Sequence, residues 1–354
     1  MSERFYISVV SGERRGVLAA LLRALLFVLS AVYRVVLAVR AAAYTIGVRR
    51  RHRVPCKVIS VGNITVGGTG KTPMVEYLAR YVASKGKRVA IVSRGYAALA
   101  GRNGANDEAL VLRENLRGVP QIQDPDRVRA SLEAVRRHGA DCVILDDAFQ
   151  HWRLARDLDI VLVDATNPFG YGGLLPRGLL REPPSALARA HCLVLSRANL
   201  CPPDRLREVR DRLERLRAEG TTLVEMGEEP ICLTRLDGPE RYPVEWLHGR
   251  AVYAFCGIGN PRAFVRLLER LGATVKGKRE FDDHHAYGPG DLADLGLAAH
   301  RSGAEAIVTT QKDAVKIANA HLGTRCFVLN IRVALAEGRE RLERLVDEVL
   351  EARK

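Results

Sequence analysis

The feature that most constrains the fold of this 354-residue chain is a glycine-rich segment, TVGGTGKT at residues 65–72. The β-rich run KVISVGNITV (57–66) precedes it, and the helix-patterned run PMVEYLARYVASKG (73–86) follows it. Glycines between a strand and a helix let backbone N–H groups converge on phosphate oxygens at the helix N-terminus. The segment therefore predicts a nucleotide-binding loop at the first turn of a βαβ unit.

The loop departs from the usual pattern G-x-x-x-x-G-K-[ST] because Thr65 stands where the first glycine is expected. The GTGKT portion is intact, so that Lys71 can reach the β- and γ-phosphates and the Thr72 hydroxyl can bind Mg²⁺. Partition-type ATPases typically carry a lysine before the paired glycines, and Val66 at that position counts against this class. The alternative is a chance glycine turn. The predicted nucleotide-binding residues are Thr65, Val66, Gly67, Gly68, Thr69, Gly70, Lys71 and Thr72.

Further short apolar runs predict the architecture of the rest of the chain. The runs RVAIVSRGY (88–96), DCVILDD (141–147) and DIVLVDA (159–165) are typical of strands in a parallel sheet that is covered on both faces. A similar strand–helix pattern restarts near residue 251. We predict an α/β fold with a P-loop NTPase-like, mostly parallel sheet domain, a second, smaller α/β domain and an N-terminal membrane-associated helix. The predicted segments are 1–54 (helix), 55–220 (nucleotide domain), 221–250 (connector) and 251–354 (smaller domain).

The N-terminal segment combines apolar residues with arginines. The run from Gly16 to Tyr44 predicts one long helix, and Arg23, Arg34 and Arg40 leave too short an uncharged stretch for an ordinary membrane span. We interpret it as a helix in a membrane interface whose arginines reach lipid phosphates. The RRRHR cluster at 49–53 would then contact an anionic membrane surface. A buried core helix or an oligomer contact is the alternative.

The net charge of +14 does not indicate a nucleic-acid-binding protein. Residues 1–54 hold ten arginines and two acidic residues, so that more than half of the excess charge lies beside the apolar helix. Basic residues interleaved with aromatic ones along the α/β body are not evident, and only 6% of residues are aromatic. Seven scattered cysteines without a C-x-x-C pair indicate reduced thiols in the cytosol. We therefore expect no nucleic acid and infer no obligate protein partner.

Acidic and basic residues follow several of the predicted strands. Asp146 and Asp147 end a strand where a Walker-B carboxylate would hold Mg²⁺, although a pair of helix caps is the alternative. Asp107 and Glu108 form a second acidic pair that would otherwise be surface charge. Other candidates are the DDHH cluster at 282–285, Arg181 and Glu182 after a glycine-rich segment, and Lys312 and Asp313 in TTQKDAVK (309–316), which start a helix or bind a ligand.

Together these motifs resemble one family. VGNITVGGTGKTP, SRGY, ILDDAFQH, GLLPRGLLREP, FCGIGNP and TTQKDAVK are similar, in this order from about residue 57 to 316, to the tetraacyldisaccharide 4′-kinases of lipid A biosynthesis. The resemblance implies an enzyme on the cytoplasmic face of the inner membrane of a Gram-negative bacterium. It implies transfer of the γ-phosphoryl group of ATP, with Mg²⁺, to the 4′-hydroxyl of a tetraacylated glucosamine disaccharide 1-phosphate.

The resemblance also implies roles for single residues. Lys71 and Thr72 would contact phosphate and magnesium, and Asp146 and Asp147 would lie at the metal. Asp107 would be the general base and His284 the histidine that orients it. The remaining positions that match the family's active site are Glu108, His151, Arg181 and Glu182. A membrane-associated ATPase that acts as a nucleotide switch for a protein partner is the competing hypothesis, and it leaves Asp107 and His284 unexplained.

Overall fold

The structure, a computed structural model, describes residues 3–95, 107–282, 285–317 and 320–352. Its helices are α1 (Glu3–Val10), α2 (Val17–Thr45), α3 (Lys71–Ser84), α4 (Asp107–Asn115), α5 (Arg127–His138), α6 (Pro203–Leu216), α7 (Pro261–Arg270), α8 (Pro289–Arg301), α9 (Gln311–Ala314) and α10 (Arg339–Glu351). Its strands are β1 (Lys57–Asn63), β2 (Val89–Ser93), β3 (Gln121–Gln123), β4 (Cys142–Asp146), β5 (Leu158–Asp164), β6 (Cys192–Ser196), β7 (Thr222–Arg235), β8 (Arg241–Tyr242), β9 (Ala251–Cys256), β10 (Thr274–Glu280), β11 (Ala306–Thr310) and β12 (Cys326–Leu335).

The chain forms two compact units, each made of segments that are not contiguous. The first unit comprises the described parts of Met1–Gly95, Gly118–Gly227 and Ala334–Lys354, and the second those of Tyr96–Arg117 and Glu228–Val333. The predicted segments 1–54, 55–220, 221–250 and 251–354 stay a prediction, and the units group the chain differently. Residues around α4 belong to the second unit and α10 belongs to the first.

The first unit is built on a parallel sheet. Its strand order is β3-β2-β4-β1-β5-β6-β7, and every adjacent pair is parallel. All residues of β4, β5 and β6 are buried, as expected for strands that are covered on both faces. The sequence prediction of a mostly parallel α/β sheet is confirmed.

Two helices of this unit begin at positions that the local sequence specifies. Gly70 caps α3 in the left-handed conformation, which glycine adopts without strain, and α3 buries Met74, Val75 and Leu78. Asp126 caps α5, because its side chain accepts hydrogen bonds from the backbone N–H groups of Val128 and Arg129. Both helices pack on the central strands β2 and β4.

The register of the central strands places the glycine loop beside the acidic pair. Val61 of β1 pairs with Asp146 of β4, so that both strands end at the same edge of the sheet. The loop leaves β1 at this edge, and Asp147 follows β4 there. Carboxyl ends of parallel strands are where α/β proteins bind their ligands.

Helix α2 presents one packed face and one exposed apolar face. Its buried residues are Ala19, Leu26 and Ser30, and its exposed large apolar side chains include Leu25, which is 57% exposed. By length and composition it is able to cross a membrane. These features are consistent with membrane association and not with the alternative of a buried core helix.

The predicted role of the α2 arginines is partly wrong. Arg23 donates to the carbonyl oxygen of Arg14 (2.9 Å), and Arg40 donates to that of Gln150 (2.6 Å). Both guanidinium groups therefore bind the protein, because they lie on the packed face of the helix. Arg34 is exposed, and it alone of the three has the position that the prediction required.

The second unit contains a run of parallel strands and has its own core. Its strands follow the order β10-β9-β11-β12, all parallel, and the end of β7 pairs with β8 in the antiparallel direction. Phe255 and Phe327 are fully buried in two clusters of its core. Helix α4 packs on the short helix α9 in this unit.

We predict that Gly62→Ala in β1 lowers the free energy of unfolding by about 1–3 kcal/mol. A Cβ atom at this position would lie 2.6 Å from the Cβ atom and 2.8 Å from the backbone nitrogen of Phe149, so that the backbone has to shift. Urea unfolding measures the effect. Gly68→Ala is the matched control, since no atom lies within 4 Å of the added methyl group. Equal stabilities of the two variants would contradict the prediction.

Candidate active site

The loop between β1 and α3 is held by backbone hydrogen bonds to residues 179–181. The N–H of Val66 donates to the oxygen of Leu179 (2.8 Å), and the N–H of Arg181 donates to the oxygen of Ile64 (2.7 Å). Thr65 is buried and forms an antiparallel bridge with Leu180. Because this extended position does not need a positive φ, Thr65 replaces the usual glycine without strain.

Two glycines of the loop adopt conformations that other residues rarely adopt. Gly67 has a φ of +110° and Gly70 a φ of +84°. No atom lies within 4 Å of a Cβ atom built on Gly67 or Gly68, so that the glycines leave an open cradle that methyl groups would fill. Such a cradle, at the N-terminus of α3, fits the phosphates of a nucleotide.

Asn63, which the sequence analysis did not select, supports the glycine loop from the end of β1. This fully buried residue ends β1, and its Nδ2 atom donates to the hydroxyl of Thr69 (2.9 Å). Its Oδ1 atom accepts a hydrogen bond from Arg181. The side chain of Thr69 therefore supports the loop, whereas Val66 is 46% exposed. A polar residue inside the apolar run of β1 was the available signal.

The acidic pair and the cations of the site form one ion network. The two terminal nitrogens of Arg181 donate to the two carboxylate oxygens of Asp147, at 3.0 and 2.7 Å, and Lys71 Nζ lies 3.9 Å from Asp147 Oδ1. Burial raises the pKa of Asp147, but the charges of Lys71 and Arg181 outweigh it and lower this pKa to about 2. Asp147 is therefore ionised at neutral pH.

The backbone at Asp147 is strained, with a φ of +52°. Residues other than glycine rarely adopt this region, and such strain is concentrated at functional sites. The bidentate pair with Arg181 holds the side chain of Asp147 toward Lys71. The alternative of two helix-capping aspartates does not fit, because neither residue caps an assigned helix.

The oxygen donors at this edge fit a magnesium ion. Thr72 lies in the first turn of α3, Asp146 is 6% exposed at the end of β4, and Asp147 follows it. Hydroxyl and carboxylate oxygens are the protein ligands that Mg²⁺ prefers. Within the described residues, groups of three or more His, Cys, Asp and Glu with metal-site geometry are absent. The donor set therefore suits an ion that keeps water and phosphate ligands.

Glu182 and His151 lie in the same unit, in different surroundings. Glu182 is buried and pairs with Arg189 (2.7 Å), so that its carboxylate is part of the framework. Burial, followed by the charges of Arg127 and Arg156, lowers the pKa of His151 to about 4, and its ring is neutral at neutral pH. Its Nε2 atom is buried and lacks a hydrogen-bond partner among the described residues.

Two arginines at this edge were missed by the sequence analysis. Arg197, which follows β6, pairs with Asp164 and donates to the carbonyl oxygen of Gly68 in the loop (2.7 Å). Arg127 is 4% exposed at the start of α5. Burial and then Arg94 lower its pKa, whereas the carboxylates of Asp147 and Asp146 raise it. The sequence signals that could have identified them were that Arg197 directly follows a strand and that Arg127 directly follows a helix cap.

Helix α2 makes hydrogen bonds to the same loops. The Tyr33 hydroxyl donates to the carbonyl oxygen of Arg181 (3.0 Å), and the Ser30 hydroxyl donates to that of Leu174 (3.0 Å). The backbone carbonyl oxygen of Gln150 accepts the hydrogen bond from Arg40. The side-chain Nε2 atom of Gln150 donates in turn to the carbonyl oxygen of Asn63 (2.8 Å). The apolar helix is thus joined to the segments that hold the glycine loop.

Asp107, a further predicted site residue, belongs to the second unit. Asp107 is the first residue of α4, and its Oδ2 atom lies 3.2 Å from Nζ of Lys316. The side chain of Glu108 and the whole of His284 lie outside the described residues. In TTQKDAVK, Thr310 caps α9 and Asp313 is fully buried, which favours the helix-start interpretation of that motif.

We predict that Arg181→Gln raises the pKa of Asp147 from about 2 toward its ordinary value of about 4. A depressed native-state pKa stabilises the fold above the unfolded-state value, and this stabilisation is lost as the pH falls through the native-state value. The stability difference between wild type and variant is therefore largest above pH ~4 and shrinks toward pH ~2. Urea unfolding across this range measures it. When Arg181→Gln is made in an Asp147→Asn background, the pH-dependent part of this stability difference should vanish. Its persistence there would contradict the assignment of the effect to the pKa of Asp147.

Comparisons with known proteins agree with the motifs. Residues 22–351 match the family model described as tetraacyldisaccharide-1-P 4′-kinase. A relative named tetraacyldisaccharide 4′-kinase from Anaeromyxobacter dehalogenans is 42% identical over 350 residues, which cover 94% of this chain and 92% of the relative. One of the same name from Halothermothrix orenii is 37% identical over 364 residues, which cover 94% of each chain.

A solved structure is similar over almost the whole chain. It is the "apo" form of LpxK from Aquifex aeolicus in complex with ATP, with 31% identity, a TM-score of 0.74 and coverage of 93% of this chain and 99% of that one. The resemblance that the motifs indicated is confirmed, and this chain belongs to the tetraacyldisaccharide 4′-kinase family.

Proposed function

We propose that this chain is an ATP-dependent lipid kinase of lipid A biosynthesis. It transfers the γ-phosphoryl group of ATP to the 4′-hydroxyl of a tetraacyl glucosamine disaccharide 1-phosphate. The observation that carries this proposal is the glycine cradle with Lys71, 3.9 Å from the ionised Asp147, in a member of this kinase family. The competing hypothesis of a nucleotide switch has no such family match, and it leaves Asp107 and His284 unexplained.

The residues of the first unit bind and orient the donor nucleotide. The loop amides and the ammonium group of Lys71 offset the charge of the β- and γ-phosphates. Thr72, Asp146 and Asp147 would hold Mg²⁺, which would neutralise charge on the transferred group. Arg181 keeps Asp147 in place, and Arg197 fixes the loop through the oxygen of Gly68.

The acceptor hydroxyl needs a base because a sugar hydroxyl is a poor nucleophile. Asp107 accepts its proton while the 4′-oxygen bonds to the γ-phosphorus and the bond to the bridging oxygen of ADP breaks. His284 orients Asp107, and Glu108, His151 and Glu182 shape the acceptor site. Glu182 does so from its buried position beside Arg189.

Helix α2 brings the site to the lipid. A four-chain lipid stays in the bilayer, so that the enzyme has to bind the membrane surface. We place the protein at the cytoplasmic face of the inner membrane of a Gram-negative bacterium. The exposed apolar face of α2 enters the membrane, and the basic residues 49–53 contact anionic headgroups.

A transfer assay tests the function. Purified protein, γ-labelled ATP, Mg²⁺ and the tetraacyl disaccharide 1-phosphate in mixed micelles should give a labelled glycolipid. Lys71→Met should lower this transfer by about 10²–10³-fold, because it removes the cation that faces the developing charge. Lys87→Met, at an exposed lysine beyond α3, is the matched control. ATP hydrolysis without transfer to the lipid would favour the switch hypothesis instead.

The membrane role of α2 is tested on its exposed face. Leu25→Glu together with Val28→Glu should weaken binding to anionic vesicles at least tenfold, since each charge in an apolar environment costs on the order of 2 kcal/mol. ATP affinity should stay within about twofold, because both side chains point away from the protein. Leu297→Glu, at an exposed leucine of α8, is the control. Unchanged vesicle binding by the double variant would remove α2 from membrane association.

A further inference from the structure

The second unit contains a buried ion network that the proposed mechanism does not yet use. Its anchor is Asp313, which is fully buried in α9. The Tyr287 hydroxyl donates to Asp313 Oδ1 (2.8 Å), and the Thr310 hydroxyl donates to Oδ2 (2.7 Å). Burial and then the charge of Asp313 raise the pKa of Tyr287, which keeps this phenol protonated. Two hydroxyl groups thus donate to the two side-chain oxygens of Asp313.

Lys316 joins this carboxylate to a second one. Its Nζ atom lies 3.3 Å from Asp313 Oδ1 and 3.2 Å from Asp107 Oδ2, and its side chain is 8% exposed. It also lies 5.5 Å from the centre of the Tyr287 ring. A buried ammonium group requires paired charges, and one carboxylate would meet that requirement. The contact with Asp107 adds a second partner from a distant part of the chain.

We propose that Lys316 is a positioning residue for the general base Asp107. The ammonium group fixes one carboxylate oxygen of Asp107 and keeps the carboxylate ionised and ready to accept the hydroxyl proton. Asp313 limits this effect, since its negative charge partly offsets that of Lys316. The inference rests on the proposed function of Asp107.

The network also explains how α4 is held in the second unit. Gln311 Nε2 donates to Asn115 Oδ1 (3.4 Å) at the other end of α4, so that α9 contacts one end of this helix and Lys316, which follows α9, contacts the other. Lys316 contacts Asp107 directly, Asp313 shares this lysine, and Tyr287 lies close enough that the charge of Asp107 contributes to its raised pKa. Lys316 lowers the pKa of a neighbouring carboxyl group and Asp313 raises it. The two residues therefore have opposite effects on the base.

The opposite effects of Lys316 and Asp313 on the pKa of Asp107 provide the test of this proposal. In the lipid transfer assay, the pH dependence of kcat/KM reports the pKa of the free enzyme's base. Lys316→Met should lower kcat about 10–100-fold and move the acidic limb to higher pH by about one unit. Asp313→Asn keeps the shape of the side chain and should move the same limb to lower pH. ATP KM should change less than about threefold in both variants, and a merely structural defect would not shift the limb in opposite directions.

Asp107→Ala separates this inference from the proposed function. It should lower kcat by about 10²–10⁴-fold, and adding Lys316→Met to it should cause little further loss. Unchanged turnover in Asp107→Ala would refute the base itself. If Asp107→Ala is inactive but Lys316→Met and Asp313→Asn keep the wild-type pH profile, the role of Lys316 alone is refuted. Where Lys316→Met does not fold, the direction of the shift in Asp313→Asn decides.

Discussion

The bidentate ion pair between Arg181 and Asp147 is the interaction on which the rest of the candidate site depends. The guanidinium group also binds Asn63, and the backbone of Arg181 binds Ile64 and Tyr33. One residue therefore joins the end of β1, the end of β4 and the apolar helix α2. An ion pair at a surface contributes little, whereas this one is partly buried and bidentate, which gives it geometric specificity. It keeps a strained aspartate next to the lysine of the glycine loop.

The requirement that buried charges be paired explains three further arginines of the first unit. Arg189 neutralises the buried Glu182, Arg156 neutralises Asp159 (3.0 Å), and Arg197 neutralises Asp164. Each pair lies in the unit that holds the glycine loop, and Arg197 extends to the loop itself. The framework of the site is therefore electrostatic as well as apolar. This explains why several residues that look like ligands in the sequence are committed to partners in the protein.

Local signals in the sequence were sufficient for the loop and its flanking elements. The predicted runs 57–66 and 73–86 correspond to Lys57–Asn63 and Lys71–Ser84, because glycines, a buried apolar strand and an amphipathic helix are encoded within a few residues. The parallel sheet and the position of Asp147 beside Lys71 followed from the same pattern. The assignment of Asp107 to a base and of His284 to its partner stays a prediction.

Tertiary packing decided what the sequence left open. The motif TTQKDAVK drew attention to Lys312 and Asp313, and the structure adds Lys316, which contacts Asp107. Nothing in the local pattern distinguishes these two lysines, because the contact comes from α4, a distant segment. In the same way, the membership of α4 in the second unit and of α10 in the first depends on contacts far apart in the chain. Periodicity within a window does not contain that information.

Helix α2 shows how arginines and an exposed apolar face are compatible in one helix. Counted along the sequence, Arg23 and Arg40 shorten the uncharged stretch and argue against insertion. In the structure both bind backbone carbonyl oxygens on the packed face, with Ser30 and Tyr33 on the same side. The exposed face carries leucine, valine and phenylalanine side chains together with Arg34. Because the protein satisfies the charges of Arg23 and Arg40, their desolvation cost does not fall on the exposed face of the helix. That face stays mostly apolar, with Arg34 as the arginine of α2 that lies on it.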